Sequence, residues 1–154
     1  MAGERPDGPD LAGKVAVVTG GSRGMGREMC LAFARHGAAV VVASRKGEAC
    51  EALAAEIEAA GGRAIGVATH VGRWADLDRL VDTAYERFGR VDVLVNNAGM
   101  SPLYPSLAEV TEELFDKVIA VNLRAVFRLS ALVGTRMAEG DGGSIINVSS
   151  ISAI

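Results

Sequence analysis

The sequence predicts an α/β fold in three layers: a doubly wound parallel sheet with helices on both faces. Three observations carry that expectation. Short β-branched runs recur along the chain, apolar on consecutive residues, as strands covered on both faces require. Between them lie segments whose apolar residues step at helical spacing, so strand and helix alternate throughout. After the first run comes a glycine-rich turn that opens a helix, the place where such sheets hold phosphate. The chain has 154 residues, 49% of them hydrophobic and 23% charged. That suits one globular domain with a core of its own.

Residues 1 to 12, rich in Pro, Gly and Asp, show no periodicity. They are expected to form a mobile tail, with the domain occupying residues 13–154. Candidate strands follow at Val15–Val18, Ala39–Ala43, Ala64–Ala68, Val91–Val95 and Ser144–Val148. Met25, Met29, Cys30 and Phe33 form the apolar stripe of a first helix, and Ala49, Leu53, Ala54 and Ile57 that of a second. Leu77, Leu80, Val81, Ala84, Tyr85 and Phe88 make the clearest amphipathic helix. Leu114, Val118 and Ile119, then Ala125, Val126, Leu129, Leu132 and Val133, continue the pattern as two helices or one bent one. Gly37, Gly61-Gly62 and Gly89 each follow a helical segment, as helix stops do. Strict alternation implies right-handed βαβ units, and ligands of such sheets bind at the carboxyl ends of the strands.

Composition narrows the partners. Net charge is −3 with no basic run, which argues against nucleic acid and membrane surfaces. No uninterrupted apolar run approaches about 18 residues, and the N-terminus has no signal-peptide core, so the expected location is cytoplasmic. Cys30 and Cys50 lie in helical patterns without metal-ligand spacing and read as small buried hydrophobes; no metal site is expected.

The turn after the first strand is Thr19-Gly20-Gly21-Ser22-Arg23-Gly24-Met25-Gly26. Glycine suits a backbone that must take positive φ or approach a ligand closely, and the helix start behind it attracts phosphate. Its spacing, T-G-x-x-x-G-x-G, resembles the cofactor loop of the short-chain dehydrogenase/reductase family. Further on, Asn96-Asn97-Ala98-Gly99 is similar to that family's N-N-A-G motif, and Asn122 in Val121-Asn122-Leu123 to its helical asparagine. Gly143–Ser150 resembles the family's fifth strand, with Ser150 in the place of the catalytic serine. The four motifs span residues 14 to 154. The resemblance implies a Rossmann-type sheet ordered 3-2-1-4-5, with the C-terminal strands missing. It implies cofactor contacts from Thr19, Gly20, Ser22, Arg23, Gly24, Met25, Gly26, Asn97, Ala98 and Gly99. Asn122 would hold a water in a proton relay.

At the end of the second strand an acidic residue would select NAD through the ribose 2′-OH. Here Ser44-Arg45-Lys46 stands instead. A cation there can pair with a 2′-phosphate, and the resemblance places Arg23 near the same group. The expected cofactor is therefore NADP(H), with NAD(H) as the alternative. After the third strand, His70-Val71 stands where the family commonly has Asp and an apolar residue beside the adenine; an imidazole can still hydrogen-bond or stack there. His36, beside a helix end, reads as structural.

The family moves a hydride between nicotinamide and a carbonyl or carbinol carbon. A tyrosine works as acid or base, with its pKa lowered by a lysine four residues on. That pair is absent. The tyrosines are Tyr85 and Tyr104, followed four residues later by Gly89 and Ala108. Tyr85 belongs to a helical stripe, and Tyr104 to the Ser101–Ser106 loop. The expectation is that these residues are the N-terminal part of an NADP(H)-dependent oxidoreductase acting on a small carbonyl or alcohol substrate. The alternative is a truncated, non-catalytic nucleotide-binding module. An unprotected fifth strand, Ser-Ile-Ile-Asn-Val, favours the fragment. The full-length protein is expected to form a homo-dimer or tetramer through the helices after the fourth strand.

Overall fold

A computed structural model describes residues 8–150. Five parallel strands, β1 (Val15–Thr19), β2 (Ala39–Ser44), β3 (Arg63–Ala68), β4 (Val93–Asn96) and β5 (Ser144–Asn147), form one sheet in the order β3-β2-β1-β4-β5. Helices α1 (Gly24–Arg35), α2 (Gly47–Ala59) and α3 (Trp74–Phe88) connect the first four strands. The path from β4 to β5 runs through a loop, a short 3₁₀ turn (Leu107–Glu109) and a long helix. That helix has three parts: α4 (Glu112–Ile119), a π-turn (Ala120–Arg124) and α5 (Ala125–Ala138). The expected fold and strand order are those observed.

Alternation along the strands fills two cores. Val17, Val41, Ala43 and Leu94 face α3 and α5, meeting Leu77, Leu80, Val81, Ala84, Leu129 and Val133. Val18, Val40, Val42 and Val95 face α1 and α2, meeting Cys30, Cys50, Leu53 and Ile57. Val40, Val41 and Val42 are wholly buried, each worth about 1.5–3 kcal/mol relative to exposure. Covered on both faces, a strand can be apolar at every residue.

Four details differ from expectation. Val91 and Asp92 precede β4 instead of starting it, although Asp92 N still donates to Val15 O at 2.9 Å, its carbonyl accepts from Ser144 N at 2.8 Å, and its carboxylate accepts from Val15 N at 2.9 Å. Met25 is 60% exposed; it sits in the first turn of α1, beyond the reach of the core. Residues 1–7 of the expected tail lie outside the described residues, but Leu11 N already donates to His36 O at 2.9 Å, so ordered chain precedes residue 13. The third segment of the long path is one continuous helix of 27 residues, Glu112–Ala138, the second of the two arrangements expected, but an 18-residue window of it reaches a mean hydropathy of 1.5. By length and composition alone it could cross a membrane. Reading uninterrupted runs missed it, because charges punctuate its apolar residues. Its inner residues, Ala125, Leu129, Val133 and Met137, pack into the core.

The candidate cofactor cleft

The sheet reverses its winding between β1 and β4, which are neighbours although α1, β2, α2, β3 and α3 separate them in sequence. The loops leaving these two strands diverge and open a crevice. Thr19, the last residue of β1 and 2% exposed, ties its lips together. Its Oγ1 accepts from Asn97 N at 3.0 Å and Ala98 N at 3.1 Å, and donates to Val95 O at 3.3 Å. Asn97 Nδ2 answers by donating to Thr19 O and Gly20 O. The glycine-rich turn and the N-N-A-G segment are thus one hydrogen-bonded unit.

The turn needs its glycines for separate reasons. Gly20 and Gly24 take φ of +64° and +52°, where side chains are strained. Gly26 is needed for space: a Cβ there would lie 2.2 Å from Gly20 O and 2.7 Å from Asn97 Nδ2. Behind the turn α1 begins without a side-chain cap and without an acidic residue in its first turn. Its first amides and the positive end of its dipole are left for an anion. Ser22 is partly exposed, and Arg23 and Met25 are exposed beside it. A cradle of this shape fits a pyrophosphate.

At the end of β2, Ser44 Oγ lies 3.1 Å from the Sγ of buried Cys50, and Arg45 and Lys46 are exposed. None of Ser44, Arg45 and Lys46 is acidic; the next carboxylate in sequence is Glu48, in the first turn of α2. Cys30 lies under the glycine turn, its thiol against Gly21 O, and burial pushes its pKa up to about 12. Both cysteines are core residues.

The turn after β3 is held by Asp76, whose carboxylate accepts from His70 N at 2.9 Å. That bond, opposed by desolvation and helped by Arg79 and Arg73, keeps the Asp76 carboxyl below its ordinary range. His70 Nδ1 accepts from Gly72 N at 3.2 Å. Val71 is buried with Val17 and Leu77, so only its backbone can meet a ligand.

On the β5 side, Gly99, Asn122 and Ser150 border a cavity of about 810 Å³. Its other walls are mostly apolar, with Met100, Pro102, Leu107, Val110, Leu114 and Phe115 among them. Tyr104 lines it too, whereas Tyr85 lies against the core and under the Arg136 guanidinium. Asn122 sits in the π-turn, where both ends of its amide bind the loop after β4: Oδ1 accepts from Met100 N at 2.9 Å and Nδ2 donates to Met100 O at 2.8 Å. Among the described residues, no group of three or more His, Cys, Asp or Glu is placed to hold a metal ion.

Sequence reasoning missed two features. Asp92, 6% exposed, accepts from Val15 N and from Arg90 and Lys14 at the opposite end of the sheet. Burial alone would raise its pKa, but these bonds and the Arg90 charge hold it below the ordinary carboxylate value. Arg124, two residues beyond Asn122, donates to Gly72 O. Neither belongs to a local pattern, since each acts on a segment far away in sequence.

A doubly wound sheet with a glycine cradle at its switch point defines a dinucleotide-binding protein of the α/β class. A family profile described as short chain dehydrogenase matches residues 14–154, and the chain belongs to the short-chain dehydrogenase/reductase family. It is 42% identical over 143 residues to "Dehydrogenase/reductase SDR family member 4" of Bos taurus, covering 93% of this chain and 51% of that protein. Among solved structures, it resembles a metagenomic short-chain oxidoreductase in complex with NADP (TM-score 0.89, 37% identity, 93% of this chain, 65% of the other). It also resembles a 7α-hydroxysteroid dehydrogenase complexed with NADH and 7-oxo glycochenodeoxycholic acid (TM-score 0.88, 34% identity, 93% and 55%). The chain spans about half the length of the curated relatives it matches.

Proposed function

We propose that this chain is the cofactor-binding part of an NADP(H)-linked oxidoreductase that interconverts a carbonyl and a secondary alcohol. One observation carries the cofactor reading. The glycine turn is shaped by Gly26 to let the backbone close on a ligand, and Thr19 and Asn97 fasten it to the strand that leads into the cavity. Bound there, the nicotinamide would supply or accept the hydride. The amides at the start of α1 and Gly20, Gly24 and Gly26 hold the pyrophosphate, with Ser22, Arg23 and Met25 beside it. Asn97, Ala98 and Gly99 line the nicotinamide side. His70 and the backbone of Val71 border the adenine.

Preference for the 2′-phosphate rests on Ser44-Arg45-Lys46. Arg45 and Arg23 offer two cations where a carboxylate would favour the bare ribose. Ser150 orients the substrate oxygen, and Asn122 holds the loop through which the proton relay passes. The general acid is not among these residues, because neither Tyr85 nor Tyr104 has a lysine four positions on. This absence favours the second reading, a nucleotide-binding module without turnover, for the chain acting alone. The exposed row Phe115, Ile119, Leu123 and Phe127, four residues apart along the long helix, is the surface for association with a second copy.

Titrating the wild-type chain and Arg45→Asp with NADPH and NADH tests the preference. The wild type should bind NADPH more tightly, and Arg45→Asp should lose most of that advantage. Tighter NADH binding by the wild type overturns it.

A further inference from the structure

The long helix reaches α3 through arginines. Arg128 pairs with Asp78 at 2.8 Å and lies 4.6 Å from the centre of the Trp74 ring, and Arg136 pairs with Asp82 at 2.7 Å over the Tyr85 ring. Arg124 breaks the series. Its Nη2 donates at 3.0 Å to a backbone carbonyl, Gly72 O, in the turn between β3 and α3.

That turn lies at the carboxyl edge of the sheet, on the β2–β3 side of the switch point. Thr69 N donates to Ser44 O at 2.8 Å, so the turn is joined to the end of β2. In doubly wound sheets this first half takes the adenosine part of a dinucleotide. Within the turn, Gly72 N donates to His70 Nδ1, and Arg73 N donates to His70 O at 2.8 Å. Holding Gly72 therefore holds the His70 ring. Two positions earlier in the same π-turn, Asn122 grips Met100 in the loop after β4. One turn of wide helix thus holds a loop on each side of the cleft.

We propose that Arg124 is a positioning residue for the cofactor: through Gly72 O it fixes the His70 turn against the adenine half of a bound dinucleotide. This rests on the cofactor reading above. The guanidinium touches no substrate, and its effect passes through the backbone it holds. Arg136 offers the structural contrast, because it joins α5 to α3 far from the carboxyl edge.

Trp74, the single tryptophan and the first residue of α3, stands next to the turn and gives a local signal. NADPH is titrated into the wild type, Arg124→Met, Arg124→Lys and Arg136→Met, following energy transfer from Trp74 to the reduced nicotinamide. Thermal melting and amide hydrogen exchange are measured on each variant. Arg124→Met should weaken NADPH about fivefold, the size of one modest hydrogen bond, speed exchange at residues 70–73 and lower the melting temperature no more than Arg136→Met does. Arg124→Lys, still able to donate, should restore most of the affinity. Arg136→Met should lower the melting temperature without changing affinity. If the wild type binds and Arg124→Met binds equally well, or Lys rescues nothing, the Arg124 proposal is overturned alone. A wild type that binds no NADPH overturns the cofactor reading and this proposal with it.

Discussion

Single residues in this protein are constrained by what a side chain would strike or by what a charge holds. Gly26 has no room, since an added methyl meets Gly20 O at 2.2 Å. Gly24 has open space around it but a φ of +52°. Gly26→Ala should therefore disrupt the turn itself and abolish NADPH binding with a loss of stability. Gly24→Val should abolish binding mainly through backbone strain. Calorimetric titration and melting curves separate the two, and unchanged affinity in both would refute the cradle. Asp92 makes a different prediction. Its folded pKa is depressed, so its contribution is complete above the unfolded value near pH 4 and is lost as pH falls through the still lower folded value. Asp92→Asn should cost about 1.5–3 kcal/mol at pH 7, the worth of hydrogen bonds to a charged group. It should also flatten the acid limb of the stability curve. Denaturant melts at pH 7 and pH 3 check both.

Elements are joined here by a few polar staples laid over apolar packing. Thr19 is the clearest, serving two amides of the β4 exit and one carbonyl at once. Thr19→Val keeps the shape and removes the acceptor: the half-buried Ala98 N loses its bond, at about 1–3 kcal/mol, whereas Asn97 N keeps its bond to Val95 O at 3.1 Å. Lost stability together with weakened NADPH binding is the expected outcome; retention of both would show that the lips do not need the staple. Much of this level is legible in the sequence. The strands announce themselves because a sheet covered twice must be apolar at consecutive positions. Gly37, Gly61 and Gly89 announce the helix ends because each has positive φ. The T-G-x-x-x-G-x-G and N-N-A-G segments point to one crevice, since both sit at strand ends. Other parts are not legible. Asp92 bonds a residue 77 positions away, and Arg124 a carbonyl 52 positions away. Nothing local distinguishes either from a solvated charge. The join between the Leu114–Ile119 and Ala125–Val133 patterns, expected as two helices or one bent one, is a π-turn, which apolar spacing does not define.

At the scale of the whole molecule, both faces of the sheet are covered over β1, β2 and β4, but its two sides differ in finish. The β3–β2–β1 side carries most of the buried core, whereas β5, one of the two edge strands, is exposed along its length, with Ile145 and Ile146 36% and 42% exposed. On that side the long helix presents Phe115, Ile119, Leu123 and Phe127 outward. Such a row favours pairing in water, and Phe127→Glu should shift sedimentation toward the monomer while leaving the fold's circular dichroism intact. These 154 residues should bind cofactor without oxidising or reducing carbonyl substrates, because no Tyr-x-x-x-Lys pair completes the cavity beside Ser150 and Asn122. Measurable turnover would require another proton donor. The central claim is that the crevice between β1 and β4 binds a nicotinamide dinucleotide by its pyrophosphate. Calorimetric titration of the wild-type chain with NADPH tests it most directly. Saturable binding at one site per chain, lost in Gly26→Ala, is the result predicted. No heat of binding in a folded wild type, or binding that Gly26→Ala leaves intact, would contradict it.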